Sequence, residues 1–196
     1  MANQANTSKT RARILGLTQL ALLTAITVIL QLLSGYFKIG IFQFALVLVP
    51  IVVGGAVLGP LAGGWLGLVF SAVVLLNGDT ALFWAVNIPG TVITVLAKGV
   101  GAGLAAGGVH RLLRARSPLV ATILAAAAAP IANTCVFILG CYVFFVPTLT
   151  KWANGQSITS YIFLTLIGVN FFVELLSTLL LSGAIVRIVQ ARQHRR

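Results

Sequence analysis

Two side chains stand out for the chemistry they could do: Lys98 and Glu174, each set inside an apolar run. An ionisable group in hydrocarbon costs at least ~2.5 kcal/mol unless it is paired or wetted, so it marks a site or a pathway by default. Asn133 and Asn170 lie in similar runs. Thr91, Thr94 and Lys98 recur at steps of three and four, as do Asn170, Glu174 and Ser177, so each set shares one helix face. An ammonium offers three donors, a carboxylate only accepts, and a carboxamide does both. Such a set can hold a small polar molecule. The same residues also fit an ion pair between Lys98 and Glu174 that fixes helix packing, with the asparagines as interhelical glue.

Catalysis finds little support. The chain has no HExxH, no GxSxG and no Walker A pattern, and one intramembrane carboxylate cannot form a paired acid-base or metal site. Cys135 and Cys141 are spaced for neither a redox pair nor zinc, so packing is their expected role. No cofactor or metal is implied, and any ATP must be spent by a partner.

The elements that must position these groups are apolar helices. Hydrophobic residues make up 59% of the 196 and charged ones 8%, the composition of an all-α integral membrane protein. At about 20 residues per crossing, six spans are expected near Ile14 to Leu33, Ile41 to Leu58, Leu61 to Leu76, Pro89 to Leu113, Pro118 to Val146 and Ser160 to Val189. Gly59-Pro60 is a turn signal that separates the second span from the third. The whole is read as a single membrane domain: a basic segment over 1–13, a six-helix bundle over 14–189 and a basic tail over 190–196. The opening MANQANTSKTRAR resembles the start of a cleaved signal, but the apolar run after it is too long and has no small-residue cleavage pattern. A retained first helix is expected.

Thirteen Lys and Arg against two acids give +11, and their placement argues against nucleic acid as the partner. Lys9, Arg11 and Arg13 precede the first span, Arg111, Arg114 and Arg116 share the fourth-to-fifth hinge, and Arg187, Arg192, Arg195 and Arg196 close the chain; only Lys38 and Lys151 fall in the opposite loops. An even number of crossings puts the first three groups on one side, facing the cytoplasm and its anionic lipid. Both termini are then cytoplasmic. From the outer ends of their spans, Lys98 lies roughly 13 Å deep, Asn170 roughly 15 Å, Asn133 roughly 20 Å and Glu174 roughly 21 Å, at helical rise. The four groups on three helices fall in one layer from the outer third to the midplane, where they could line one cavity open to the outside.

The outer loops, Ser34 to Gly40, Asn77 to Ile88 and Pro147 to Thr159, carry Tyr36, Phe37, Asp79, Phe83, Trp84, Asn87, Trp152, Asn154 and Gln156. These residues suit either an interfacial aromatic belt or a lid. Gly55, Gly59, Gly63 and Gly67 recur at steps of four, as do Gly99, Gly103 and Gly107, and each series lets a neighbouring backbone approach.

The stretches FQFALVLVPIVVGGAVLGPLAGGWLGLVF and LNGDTALFWAVNIPGTVITVLAKGVGAGLAAGGVHRLL resemble the substrate-binding S components of energy-coupling factor (ECF) vitamin transporters. The likeness covers nearly the whole chain. The LVPIVVGG, GPLAG, GD and NIPGT run is most similar to the pantothenate group. The resemblance implies a partner complex of one transmembrane coupling subunit, EcfT, and two ATPase subunits, EcfA and EcfA', in the bacterial plasma membrane. It also implies docking through an AxxxA pattern in the first helix, matched by Ala21 and Ala25. The implied ligand lies near the outer surface, with Lys98, Asn87, Asn133, Asn170 and Glu174 ordering its polar groups and Trp84 and Phe83 covering it. Pantothenate has one carboxylate, two hydroxyls and an amide, which suit one cation and several carboxamides. Another vitamin, riboflavin or a thiamine precursor, or a stand-alone secondary transporter are the alternatives.

Overall fold

The computed structural model describes residues 2–36, 38–39, 42–43 and 46–181. Phe37, the tail cations Arg187, Arg192, Arg195 and Arg196, and His194 lie outside the described residues, as do the side chains of Lys9, Tyr36 and Lys38. Nine helices follow one another among the described residues: α1 (Ala2–Tyr36), α2 (Leu48–Leu58), α3 (Pro60–Leu76), α4 (Ala81–Trp84), α5 (Ile88–Leu113), α6 (Pro118–Phe144), α7 (Val146–Trp152), α8 (Ile158–Ser160) and α9 (Gly168–Leu180). A π-helical turn over Tyr161–Ile167 joins α8 to α9, and the two-residue strands β1 (Lys38–Ile39) and β2 (Phe42–Gln43) pair antiparallel after α1.

The protein is an all-α membrane protein. Its exterior is apolar: Leu61, Leu76 and Leu112 are 84%, 87% and 79% exposed, a surface stable only against lipid. The interior of the bundle is built largely from small residues, with Ala102, Ala106, Ala121, Ala125, Ala126 and Ala129 fully buried. α1, α5 and α6 are long and apolar enough to cross a bilayer, and a fourth crossing arises if the bent pair Ile158–Ile167 and Asn170–Leu180 is one span. α2 and α3 are apolar but shorter, at 11 and 17 residues. The second helix thus begins at Leu48, seven residues after the expected start at Ile41, whereas α1 begins ahead of Ile14. The last span was expected to be continuous from Ser160; instead it bends by 47° at Gly168, whose φ of +28° no ordinary helical residue adopts. Its expected end at Val189 lies outside the described residues.

The recurring glycines close a seam between α3 and α5. A Cβ on Gly63 would meet the backbone of Gly103, and one on Gly67 would meet that of Gly99, so the two main chains touch directly. Gly107 lies against Pro60, which puts the α2–α3 turn at the end of the bundle that carries Arg111, Arg114 and Arg116. All three arginines are exposed there. α6 continues past Pro130, an interruption that packed neighbouring helices tolerate in a membrane. Cys141 is fully buried beside Phe145, Leu149 and Ile162, while Cys135 is exposed.

Candidate functional site

A cavity of about 240 Å³ lies between α1, α3, α5, α6 and α9. Lys98 and Thr94 reach it from one face of α5, Asn133 and Thr134 from α6, and Asn170 and Glu174 from α9. Gln31 and Ser34 contribute from α1, and Asp79, Thr80 and Phe83 from the segment between α3 and α5. That segment and Phe145, which also lines the cavity, belong to the end of the bundle opposite the arginine hinge. The α3–α5 seam places Lys98: Gly99 packs against Gly67 and Ser71, and the residue before it is turned by about 100° along the helix, toward the cavity.

Each charge has its own setting. Lys98 Nζ lies 5.9 Å from the centre of the Phe70 ring and 5.6 Å from that of Phe137, within reach of both π faces. The Glu174 carboxylate accepts a hydrogen bond from Asn133 Nδ2 at 3.4 Å. Among the described residues, no ion pair within 4.0 Å joins Lys98 to Glu174. Asn133 is 7% exposed, and its Oδ1 has no hydrogen-bond partner among the described residues. A buried acceptor left in this way costs free energy.

Of the residues expected at the site, Lys98, Asn133, Asn170, Glu174 and Phe83 line this one cavity, and Asn87 and Trp84 do not. Asn87 caps α5 instead: its Oδ1 accepts from Gly90 N at 2.9 Å, with Pro89 in the first turn. Trp84 Nε1 donates to Thr80 Oγ1 at 2.7 Å. Phe83 meets Phe145, Trp152 and Phe137 edge to face, at 5.0, 5.7 and 5.9 Å between ring centres. These contacts tie the short helices α4 and α7 over the cavity. Ser177 completes the stripe on α9 in register but donates to Val173 O rather than lining the cavity.

Sequence reasoning did not single out Gln31, whose Nε2 donates to Asp79 Oδ2 at 3.1 Å and links α1 to the segment after α3. A glutamine inside the apolar run of the first helix was the available signal. The lining phenylalanines Phe70, Phe137, Phe145 and Phe171 carried none. On the other side of α1, Ala21 and Ala25 are exposed and form a ridge with Leu17 and Ile29, which are 67% and 55% exposed.

The sequence matches the family described as ECF transporter, substrate-specific component, over residues 16–189, most of the chain. The chain belongs to this family. Members are substrate-binding subunits, so this S component has a small-molecule substrate and associates with the ECF module. No curated protein and no solved structure matches this S component.

Proposed function

We propose that this S component binds a vitamin at the outer side of the bacterial plasma membrane, pantothenate by chemical fit, and delivers it inward through a complex in which EcfA and EcfA' hydrolyse ATP and EcfT couples them to transport. The observation that carries the reading is the convergence of Lys98, Asn133, Asn170 and Glu174 from three helices on one cavity. A membrane protein places ionisable and amide groups in a common hollow at considerable cost, which a ligand offsets. In this reading Lys98 donates to a ligand oxygen, Glu174 accepts from a hydroxyl or amide, and Asn133 and Asn170 order the remaining polar groups. Phe83 covers the site. Asn87 and Trp84 act on it indirectly, through the cap of α5 and the bond to Thr80.

Six crossings with both termini cytoplasmic accord with the arginines clustered beside the α2–α3 turn and with the cavity at the opposite end. The ridge of Ala21 and Ala25 is the docking face for EcfT: it is exposed, and small residues let a partner helix come close. A heteroaromatic vitamin such as a thiamine precursor is the second reading, favoured by the five phenylalanines of the lining, against which a flat ring stacks. The cavity lies below the usual range of roughly 300–1,000 Å³ for ligand sites, which favours a compact molecule over riboflavin. Mass spectrometry of the ligand that copurifies with the protein tests the proposal, followed by displacement of labelled pantothenate. Retention of pantothenate that is lost in Asn170→Ala supports it; equal binding by that variant, or saturable uptake by this chain alone in vesicles, overturns it.

A further inference from the structure

We propose that Phe70 and Phe137 form an aromatic clamp that holds the Lys98 ammonium away from Glu174, so that cation and carboxylate stay separately available to one ligand. The inference rests on the reading of the cavity as a substrate site and names how that site selects. Two opposite charges in a shared low-dielectric hollow attract strongly, and direct pairing is their default arrangement. Here both are anchored elsewhere. The ammonium sits 5.9 and 5.6 Å from two ring centres, and the carboxylate is bonded to Asn133.

The rings are themselves fixed. Phe70 is 6% exposed in the core of the bundle, and Phe137 packs in a T-shaped contact with Phe83, which is braced by Phe145 and Trp152. A face of negative potential on each ring stabilises the ammonium without neutralising it. The cation therefore keeps its donors for a ligand, and Glu174 keeps acceptor capacity. A molecule that satisfies both carries an acceptor oxygen and a hydrogen-bond donor on one short frame, the pattern of a hydroxy or amido acid. A flat apolar ring satisfies neither. Phe70 and Phe137 are positioning residues in this scheme, acting through Lys98.

The test is made on the full chain in nanodiscs with Phe137→Leu, Phe137→Tyr and Phe70→Leu. The Glu174 carboxyl band is isolated by infrared difference against Glu174→Gln, without ligand. Phe137→Leu and Phe70→Leu are each expected to shift this band as Lys98 closes on Glu174, and Phe137→Tyr, which keeps a π face, to leave it in place. Pantothenate affinity, by titration calorimetry, is expected to fall at least tenfold in Phe137→Leu, and the same substitution made in Glu174→Gln is expected to cost less relative to Glu174→Gln alone, where no carboxylate captures the cation. An unshifted band in the folded leucine variants overturns the clamp, and so does a lowered melting temperature with no spectral change. Because the infrared measurement needs no ligand, a wild-type chain that ignores pantothenate counts against the vitamin assignment and leaves the clamp to be judged on the band.

Discussion

Replacing Lys98 with methionine separates a ligand-binding cation from a structural one. Methionine keeps most of the length and the apolar stem while removing the charge. A hydrogen bond from a charged donor is worth ~1.5–3 kcal/mol, and at ~1.4 kcal/mol per tenfold the variant is expected to bind pantothenate roughly 10- to 150-fold more weakly. Stability gives the contrast. Removing one partner of a buried ion pair costs about 3–5 kcal/mol, but Lys98 makes no such pair with Glu174 among the described residues. Its contacts are with the rings of Phe70 and Phe137, worth ~0.5–2 kcal/mol each, and their loss is offset because a charge need no longer be held out of water. The thermal midpoint of Lys98→Met is therefore expected to stay close to that of the parent while the dissociation constant rises. Titration calorimetry and thermal unfolding in the same nanodiscs measure both. Affinity within threefold of the parent, together with a midpoint lowered as for a broken ion pair, would make Lys98 a structural cation and not a ligand contact.

The α3–α5 seam makes Gly103→Leu severe: its side chain meets the Gly63 backbone, and overpacking of this kind costs about 1–3 kcal/mol or more, to be read as a lowered melting temperature. Asn87→Ala removes the cap of α5 and is expected to cost about 0.5–2 kcal/mol of stability with the affinity of the cavity nearly unchanged; a binding defect larger than the stability defect would place Asn87 on the ligand after all. Ala21→Trp on the exposed ridge of α1 is expected to abolish ATP-driven uptake in the assembled transporter while calorimetric ligand binding persists, and normal uptake by that variant would remove the docking face.

The cluster of Lys98, Asn133, Asn170 and Glu174 was legible in the sequence because polar groups in apolar runs are conspicuous and helical rise gives their depth. The glycine steps likewise announced close backbone packing, and Gly63, Gly67, Gly99 and Gly103 supply it. The phenylalanines around Lys98 were not legible, since one apolar residue among many gives no sign of which neighbour it faces. Asn87 was expected among the ligand contacts and instead caps α5; a capping residue just ahead of a proline, as in NIPG, is the signal of a helix start that points to this role. Hydropathy placed the second span at Ile41 but cannot mark where a helix begins within an apolar run, and the structure starts α2 at Leu48. Nor did the last span declare its bend: a single glycine in an apolar segment is common, and only the backbone angle of Gly168 reveals it.

Direct main-chain contact along the third and fifth helices leaves no side-chain slack between them. The two slide or tilt only as one plate, and Lys98 is carried on that plate. The other elements around the cavity are held by side chains: the first helix with its Gln31 bond, the short helices that bear Phe83 and Trp152, and the bent final helix. The cavity thus has a wall fixed by main-chain contact, which presents the cation, and a wall held by side chains, which presents the carboxylate; if the site opens, the distance between these two groups is the one that changes.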